Sequence, residues 1–185
     1  MSGSGLLAQA RLFAPFALPY AHMTLLKIYT GAAPVLRRRA RPVRRVTAAT
    51  RKLAEDMLET MRAAPGVGLA APQVGISERL IVVEYDAAHY MLANPEITRR
   101  SEETAVAEEG CLSLPNLFGD VERATSVRVQ GLDLTNRRVT VEAEGWLARI
   151  FQHEIDHLDG ILFPDRMAPG APLRQLRAAP VGEEI

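Results

Sequence analysis

The sequence predicts an α+β domain in which small, mostly antiparallel sheets pack around a central helix. Two observations support this fold class. Two segments place apolar residues at helical spacing, and four short segments rich in β-branched residues often alternate apolar with polar side chains. The chain has 185 residues, enough for one domain with its own core. We expect residues 23–170 to form this domain.

Two terminal segments are expected to lie outside the domain. Residues 1–22 are apolar and contain no acids, but Arg11, Pro15 and Pro19 interrupt any run of membrane-spanning length. We interpret them as a leader or tag-like extension; an organelle transit peptide is the alternative. Residues 171–185 are proline-rich and poorly periodic, which predicts a tail without a long helix.

An amphipathic helix is the first predicted element. Apolar residues recur at helical spacing at Leu53, Met57, Leu58 and Met61. Thr47 is a suitable N-cap, and Pro65-Gly66 stops the helix.

Four strands and a second helix follow. The strands are the segments ERLIVVEY, HYMLANPEI, TSVRVQGLDL and RRVTVEAE, with a hairpin turn, DLTNRR, between the last two. The segment EGWLARIFQHEIDHLDG predicts a helix with one apolar side that ends at Gly160. The apolar side comprises Trp146, Leu147, Ile150 and Phe151.

The charges are balanced overall, with 22 basic and 22 acidic residues, but unevenly distributed. No acid precedes Glu55, and residues 37–45 read RRRARPVRR. This segment is either an ordinary solvated surface or a site for an anionic partner such as ribosomal RNA. We favour the solvated surface, because no aromatic residue is interleaved to stack on a base. Neither DNA nor a membrane is expected as a partner.

The chain contains one cysteine, Cys111, which cannot form an internal disulfide. A reducing compartment, the cytoplasm, is therefore expected.

The second predicted helix contains an H-E-x-x-H motif at His153, Glu154 and His157. Residues four apart on a helix lie on the same face, so both imidazoles can reach one metal ion while Glu154 lies beside them as a base. The alternative is a charged helix face on which two histidines happen to have this spacing.

A catalytic metal normally takes three protein ligands, so a third must come from elsewhere. The metzincin position for the third histidine is Phe163, and only Glu183 and Glu184 remain for a thermolysin-like glutamate. Cys111 is the only other soft donor, and a thiolate with two imidazoles suits a transition metal. We therefore predict Cys111 as the third ligand.

A glycine-containing segment, PGVGLAAPQVG at residues 65–75, carries a neutral amide donor at Gln73. An amide N–H can donate to an oxyanion. The glycines in this segment let the backbone approach a ligand closely. The alternative is a turn with a solvated glutamine.

These segments together resemble the peptide deformylase family. The family motifs G-x-G-L-A-A-x-Q, E-G-C-L-S and Q-H-E-x-D-H-L-x-G are matched by residues 66–73, 109–113 and 152–160, in that order. The upstream segment PVLRRRARPV is also similar, so the resemblance covers roughly residues 25–167.

The resemblance implies a metal-dependent hydrolase that removes the formyl group from N-formyl-methionyl nascent polypeptides and releases formate. The implied metal is Fe²⁺, with Zn²⁺, Ni²⁺ or Co²⁺ as alternatives, and the ribosome is a further possible partner. The resemblance also implies roles for individual residues. The metal ligands are Cys111, His153 and His157, and the general acid/base is Glu154. The oxyanion donors are Gln73 and the Leu112 N–H, and the substrate-binding residues are Val67, Gly68 and Glu109.

One departure from the family concerns substrate binding. Many members carry an arginine shortly after the second motif, whereas here Asn116 to Gly119 follow and the next arginine is Arg123. Peptide contacts beyond methionine are therefore left open. Two other functions also fit parts of the pattern: a metallopeptidase that cuts internal bonds, and a structural metal module closed by a fourth protein ligand.

Overall fold

The computed structural model describes residues 24–176, so the predicted leader at 1–22 lies outside the described residues, as do residues 177–185. The helices are α1 (Ala48–Ala63) and α2 (Gly145–Leu158), with short 3-10 helices at Pro34–Arg37, Ala71–Val74 and Phe163–Arg166. The strands are β1 (Gly68–Ala70), β2 (Leu80–Tyr85), β3 (Ala88–Arg100), β4 (Thr104–Cys111), β5 (Leu114–Ala124), β6 (Ser126–Leu132), β7 (Arg138–Glu144) and β8 (Arg174–Gln175).

The strands form two sheets, one of five strands in the order β1-β2-β3-β6-β7 and one of three in the order β4-β5-β8. The pairings between these strands are antiparallel. The predicted α+β class is thus confirmed. The four predicted strands correspond to β2, β3, β6 and β7, which are consecutive neighbours in the larger sheet.

The three-stranded sheet was not predicted. β4 reads TAVAEEGC, and alanine, glutamate and glycine are depleted in strands. It forms a strand because it pairs with β5 from Thr104↔Ala124 to Gly110↔Phe118, which makes EEGCLSLP the tip of a long hairpin. β8, within the predicted tail, pairs with β5 at Leu117 and Phe118.

Helix α1 begins at the predicted cap, where the Thr47 hydroxyl accepts a hydrogen bond from the Thr50 N–H at 3.2 Å. Its buried side belongs to a core cluster shared with β1 and β2, including Met57, Met61, Leu69, Leu80 and Val82. This cluster supports the strand that forms one wall of the candidate site.

Helix α2 lies between the two sheets. Its apolar side packs on the five-stranded sheet through Ile150 and Phe151, and Phe151 makes an edge-to-face contact with Tyr90 at a centroid distance of 5.4 Å. Trp146, which was predicted on this side, is instead 44% exposed in the first turn of the helix. The helix ends as predicted: Gly160 has φ +76°, and the Ile161 N–H donates to the Asp156 carbonyl at 3.0 Å.

The arginine-rich segment lies across the surface with its six arginines exposed, while the intervening Ala40 and Val43 are buried. Arg37 pairs with Asp165, and Arg39 lies 3.6 Å from Asp159. None of the helices in residues 24–176 is long and apolar enough to cross a membrane.

Candidate metal centre and active site

The two histidines of the H-E-x-x-H motif lie on α2, as predicted. His153 and His157 are one turn apart, with ring centroids separated by 4.9 Å. Cys111 approaches them from the end of β4, and its Sγ is 3.2 Å from His157 Nε2. One ligand atom from each of the three residues lies within 4.8 Å of the others. The structure therefore brings the three predicted ligands together.

Glu109 supports the ring of His153. The Nδ1 of His153 lies 2.9 Å from Glu109 Oε2, which favours donation from Nδ1 and leaves Nε2 as the free lone-pair donor. Burial alone would raise the pKa of Glu109, but hydrogen bonds from His153 and Arg123 outweigh it and lower the pKa to about 2. Glu109 is therefore ionised near neutral pH and accepts a hydrogen bond from the His153 ring.

The donor set fits a transition-metal ion. A cysteine sulfur and two imidazole nitrogens are ligands that such ions prefer, and the carboxylate–histidine contact is the usual support of a ligating ring. His157 Nε2 lies on the Cys111 side and is the nitrogen available to a metal, while its Nδ1 is buried without a hydrogen-bond partner among the described residues.

Glu154 is buried beside the histidines, and its Oε2 has no hydrogen-bond partner within the described part of the chain. Burial raises the pKa of Glu154 to about 7, so this carboxyl can accept and return a proton near neutrality. Strand β1 passes directly over it: a Cβ placed on Gly68 would lie 2.3 Å from Glu154 Oε1. A larger residue at this position would therefore displace the Glu154 side chain.

Gln73 is a buried, oriented amide. Its Oε1 accepts a hydrogen bond from the Ala70 N–H at 2.8 Å, which points Nε2 toward Ser113 Oγ at 3.2 Å and Cys111 Sγ at 3.6 Å. The alternative of a solvated glutamine in a turn is wrong, because the side chain is 1% exposed. Ser113, for which the sequence motifs predict no role, also donates its N–H to Cys111 Sγ at 3.4 Å.

An open cleft of about 490 Å³ reaches these groups. Its walls contain all three residues predicted to bind substrate, Val67, Gly68 and Glu109, together with Leu112. His153, Glu154, Gln73 and Cys111 also line the cleft, whereas His157 is buried at 1% exposure.

Arg123, the first arginine after the second motif, does not line this cleft. It lies behind the ligand set, where it forms a two-bond pair with Glu109 at 3.0 Å and bonds Asp156 at 2.5 Å. Sequence reasoning missed this network, although Asp156 inside the H-E-x-x-H motif was a usable signal: a carboxylate on a buried helix needs a cation.

Two of the three donors, Cys111 and His153, line an open cleft that leaves room for water and substrate, and the Oε2 of Glu154, unpaired within residues 24–176, lies beside them. Closed structural metal sites have four protein ligands, whereas the grouped donors found within residues 24–176 are these three. The fold and the site thus define a metal-dependent hydrolase.

Comparisons with known proteins identify the family. The family model described as Polypeptide deformylase matches residues 25–172, and the chain belongs to this family. A peptide deformylase of Symbiobacterium thermophilum is 55% identical over 147 residues, which cover 78% of this chain and 67% of the relative.

Solved structures agree. The crystal structure of the Thermotoga maritima peptide deformylase is similar with a TM-score of 0.77 and 45% identity, covering 79% of this chain and 99% of that one. A class I type b enzyme from Acinetobacter baumannii with Met-Ala-Ser bound has a TM-score of 0.75 and 39% identity, covering 78% and 99%. The chain is accordingly an enzyme that removes the N-formyl group from nascent polypeptides.

Proposed function

We propose that Cys111, His153 and His157 hold a single divalent metal ion and that Glu154 is the general acid/base of the reaction. The observation that carries this proposal is the position of a buried carboxylate, whose Oε2 has no hydrogen-bond partner among residues 24–176, beside the three grouped donors. When bound, the metal acts as a Lewis acid that polarises the formyl carbonyl and lowers the pKa of water.

The chain's own residues supply the proton transfers. Glu154 accepts a proton as water attacks the formyl carbon, which becomes tetrahedral, and then returns that proton to the departing amine. The C–N bond breaks, and the products are formate and a peptide with a free amino terminus.

The developing negative charge on the formyl oxygen is met by two donors, the Gln73 amide and the Leu112 backbone N–H. Gln73 lines the cleft, and the Nε2 that contacts Cys111 Sγ at 3.6 Å is the group that would donate to an oxygen bound there. A preorganised donor of this kind is typically worth about 3 kcal/mol in the transition state.

The peptide is proposed to bind along the cleft, with its formyl-methionine beside Val67, Gly68 and Glu109. All three residues line the cleft. The related Acinetobacter baumannii structure has Met-Ala-Ser bound, which supports a peptide ligand. Release of formate from formyl-Met-Ala without cleavage of an unformylated peptide would separate this activity from that of a metallopeptidase.

Cys111→Ala and Glu154→Gln test the residue roles side by side. Cys111→Ala deletes a donor and should lose metal and activity together. Glu154→Gln keeps the shape but cannot accept a proton, so metal content should stay near normal while turnover falls by roughly 10²–10⁴-fold. Elemental analysis and formate release are measured on the same samples. Retention of both properties by Cys111→Ala, or wild-type turnover by Glu154→Gln, contradicts the assignment.

We propose Fe²⁺ as the native ion, an assignment supported by the family resemblance. A thiolate ligand beside a redox-active metal can be oxidised, so the iron-loaded enzyme should lose activity in air faster than the nickel-loaded enzyme. The apoprotein is loaded anaerobically with iron, zinc or nickel, and formate release is followed after exposure to air. Equal lifetimes of the iron and nickel forms would contradict the expectation.

Cytoplasmic location and association with the ribosome stay predictions. The single cysteine is compatible with the cytoplasm, and the exposed arginine-rich segment is compatible with ribosome binding. Co-sedimentation with ribosomes at low and high salt tests the association, because phosphate contacts weaken as salt rises.

A further inference from the structure

Arg149 is a buried arginine on α2, one turn before His153, and its side chain is 7% exposed. Its guanidinium donates three hydrogen bonds: Nη1 to Glu109 Oε1 at 2.8 Å, Nη1 to the Val121 carbonyl at 2.8 Å, and Nη2 to the Ala105 carbonyl at 2.7 Å. The planar fork of arginine is suited to several acceptors at once. None of the roles assigned above involves this residue.

The three acceptors belong to the smaller sheet. Ala105 and Glu109 are on β4, and Val121 is on the paired strand β5. Cys111 is the last residue of β4, two positions after Glu109. A single side chain therefore connects the helix that carries both histidines to the hairpin that carries the cysteine.

Charge alone does not explain this arrangement. Glu109 already pairs with Arg123 through two hydrogen bonds, and Arg123 also neutralises Asp156. Arg149 differs from Arg123 in that it also donates hydrogen bonds to two backbone carbonyls on adjacent strands. These bonds orient the hairpin relative to the helix. Such directional contacts resist sliding in a way that apolar contacts do not.

We propose that Arg149 is a positioning residue that sets the distance between Cys111 and the two histidines and thereby the metal affinity of the site. The inference rests on the proposed ligand set. Outer residues that orient ligands commonly change metal affinity by about 10–100-fold when replaced.

Arg149→Met and Arg149→Lys test this role in the full chain. Methionine keeps an apolar stem and removes all three hydrogen bonds, and the dissociation constant for Zn²⁺, measured by chelator competition, should rise about 10–100-fold. Lysine keeps the charge but cannot span the three acceptors, so it should recover little of this affinity. Full recovery by lysine would show that charge alone matters and would overturn the positioning role.

A spectroscopic measurement separates positioning from a general loss of stability. With Co²⁺ bound, the absorption band of the cobalt–thiolate bond should weaken or shift in Arg149→Met, provided that circular dichroism shows a folded protein. An unchanged band together with wild-type Zn²⁺ affinity would overturn the proposal. If methionine prevents folding, the same two measurements on Arg149→Lys decide it.

Arg166→Met is the matched control. Arg166 donates to Asp156 in the same ion network, but its side chain is 43% exposed, and its hydrogen bonds in the described structure go to that carboxylate. Its Zn²⁺ affinity should stay within about 3-fold of wild type, well inside the change that replacing an orienting residue produces. An equal loss in both variants would mean that the network acts as a whole, contradicting a specific role for Arg149.

The outcome also distinguishes this proposal from the ligand assignment. Metal retention by Cys111→Ala would undermine the ligand set itself. Loss of metal by Cys111→Ala with wild-type affinity in Arg149→Met would reject the positioning role alone.

Discussion

The two sides of α2 contact the two sheets by different means. Toward the five-stranded sheet the helix presents Phe151, Ile155 and Leu158, which are buried in an apolar cluster. Toward the three-stranded sheet it presents polar groups. Gln152 is an example, with its amide bonded to both the N–H and the carbonyl of Ala124.

The two contacts differ in what they do: the apolar contact mainly stabilises the fold, whereas the polar contact positions the candidate site. Apolar burial is strong but non-directional, so it favours compactness without specifying an exact offset. Hydrogen bonds constrain distance and angle. The proposed ligands lie on both sides of the polar contact, because Cys111 belongs to the smaller sheet and the histidines belong to the helix. Metal binding should therefore depend on the polar side and stability mainly on the apolar side.

Phe151→Ala should give the largest effect by breaking the apolar contact. The ring is fully buried against Tyr90, and its loss leaves a cavity that should lower the free energy of unfolding by about 3–5 kcal/mol. Urea denaturation of the apoprotein measures this. The Zn²⁺ affinity of the folded fraction should be near wild type. A strong loss of Zn²⁺ affinity under conditions in which the variant is folded would mean that the apolar and polar sides of α2 do not act independently.

Tyr85→Ala is the control for removal of an aromatic ring. Tyr85 ends β2 and is 39% exposed, so the change in unfolding free energy should be within about 0.5 kcal/mol.

Gly68→Ala tests the contact between the larger sheet and Glu154, the proposed acid/base. A Cβ at this position would lie 2.3 Å from Glu154 Oε1, so the carboxylate must move. Misplacement of a catalytic group by about 1 Å can cost roughly 10²-fold, and kcat should fall by this order while metal content is retained. Steady-state formate release and elemental analysis measure the two quantities. Normal kcat would show that Glu154 has an equivalent alternative position.

Apart from the Tyr85→Ala control, Gln152→Leu should have the smallest effect, and it tests a polar contact that involves neither Glu109 nor Arg149. The change leaves the Ala124 N–H and carbonyl without their side-chain partner, which should lower the unfolding free energy by about 1–3 kcal/mol. Because this contact does not involve Glu109 or β4, Zn²⁺ affinity should change much less than in Arg149→Met. Calorimetry and chelator competition check these expectations. A loss comparable to that of Phe151→Ala would contradict the division between the two sides.

Local patterns in the sequence were sufficient to predict both helices and four of the strands. Helical periodicity and a cap at Thr47 depend on neighbours within a few positions, so they can be read without a fold. The H-E-x-x-H spacing works in the same way, since a helix alone places His153 and His157 on one face. Cys111 could be predicted as the third ligand by eliminating the other candidates. Its distance from the histidines could not be predicted in this way.

Only the tertiary structure decided how the second wall of the site is built. Strand β4 has a composition unfavourable for strands and forms because it pairs with β5. Arg149 and Arg123 read as ordinary charged residues, yet both are buried because their acceptors lie on distant segments, such as Glu109, 40 positions before Arg149. The cost of burying a charge is offset only by specific partners, and those partners exist only once the chain has folded.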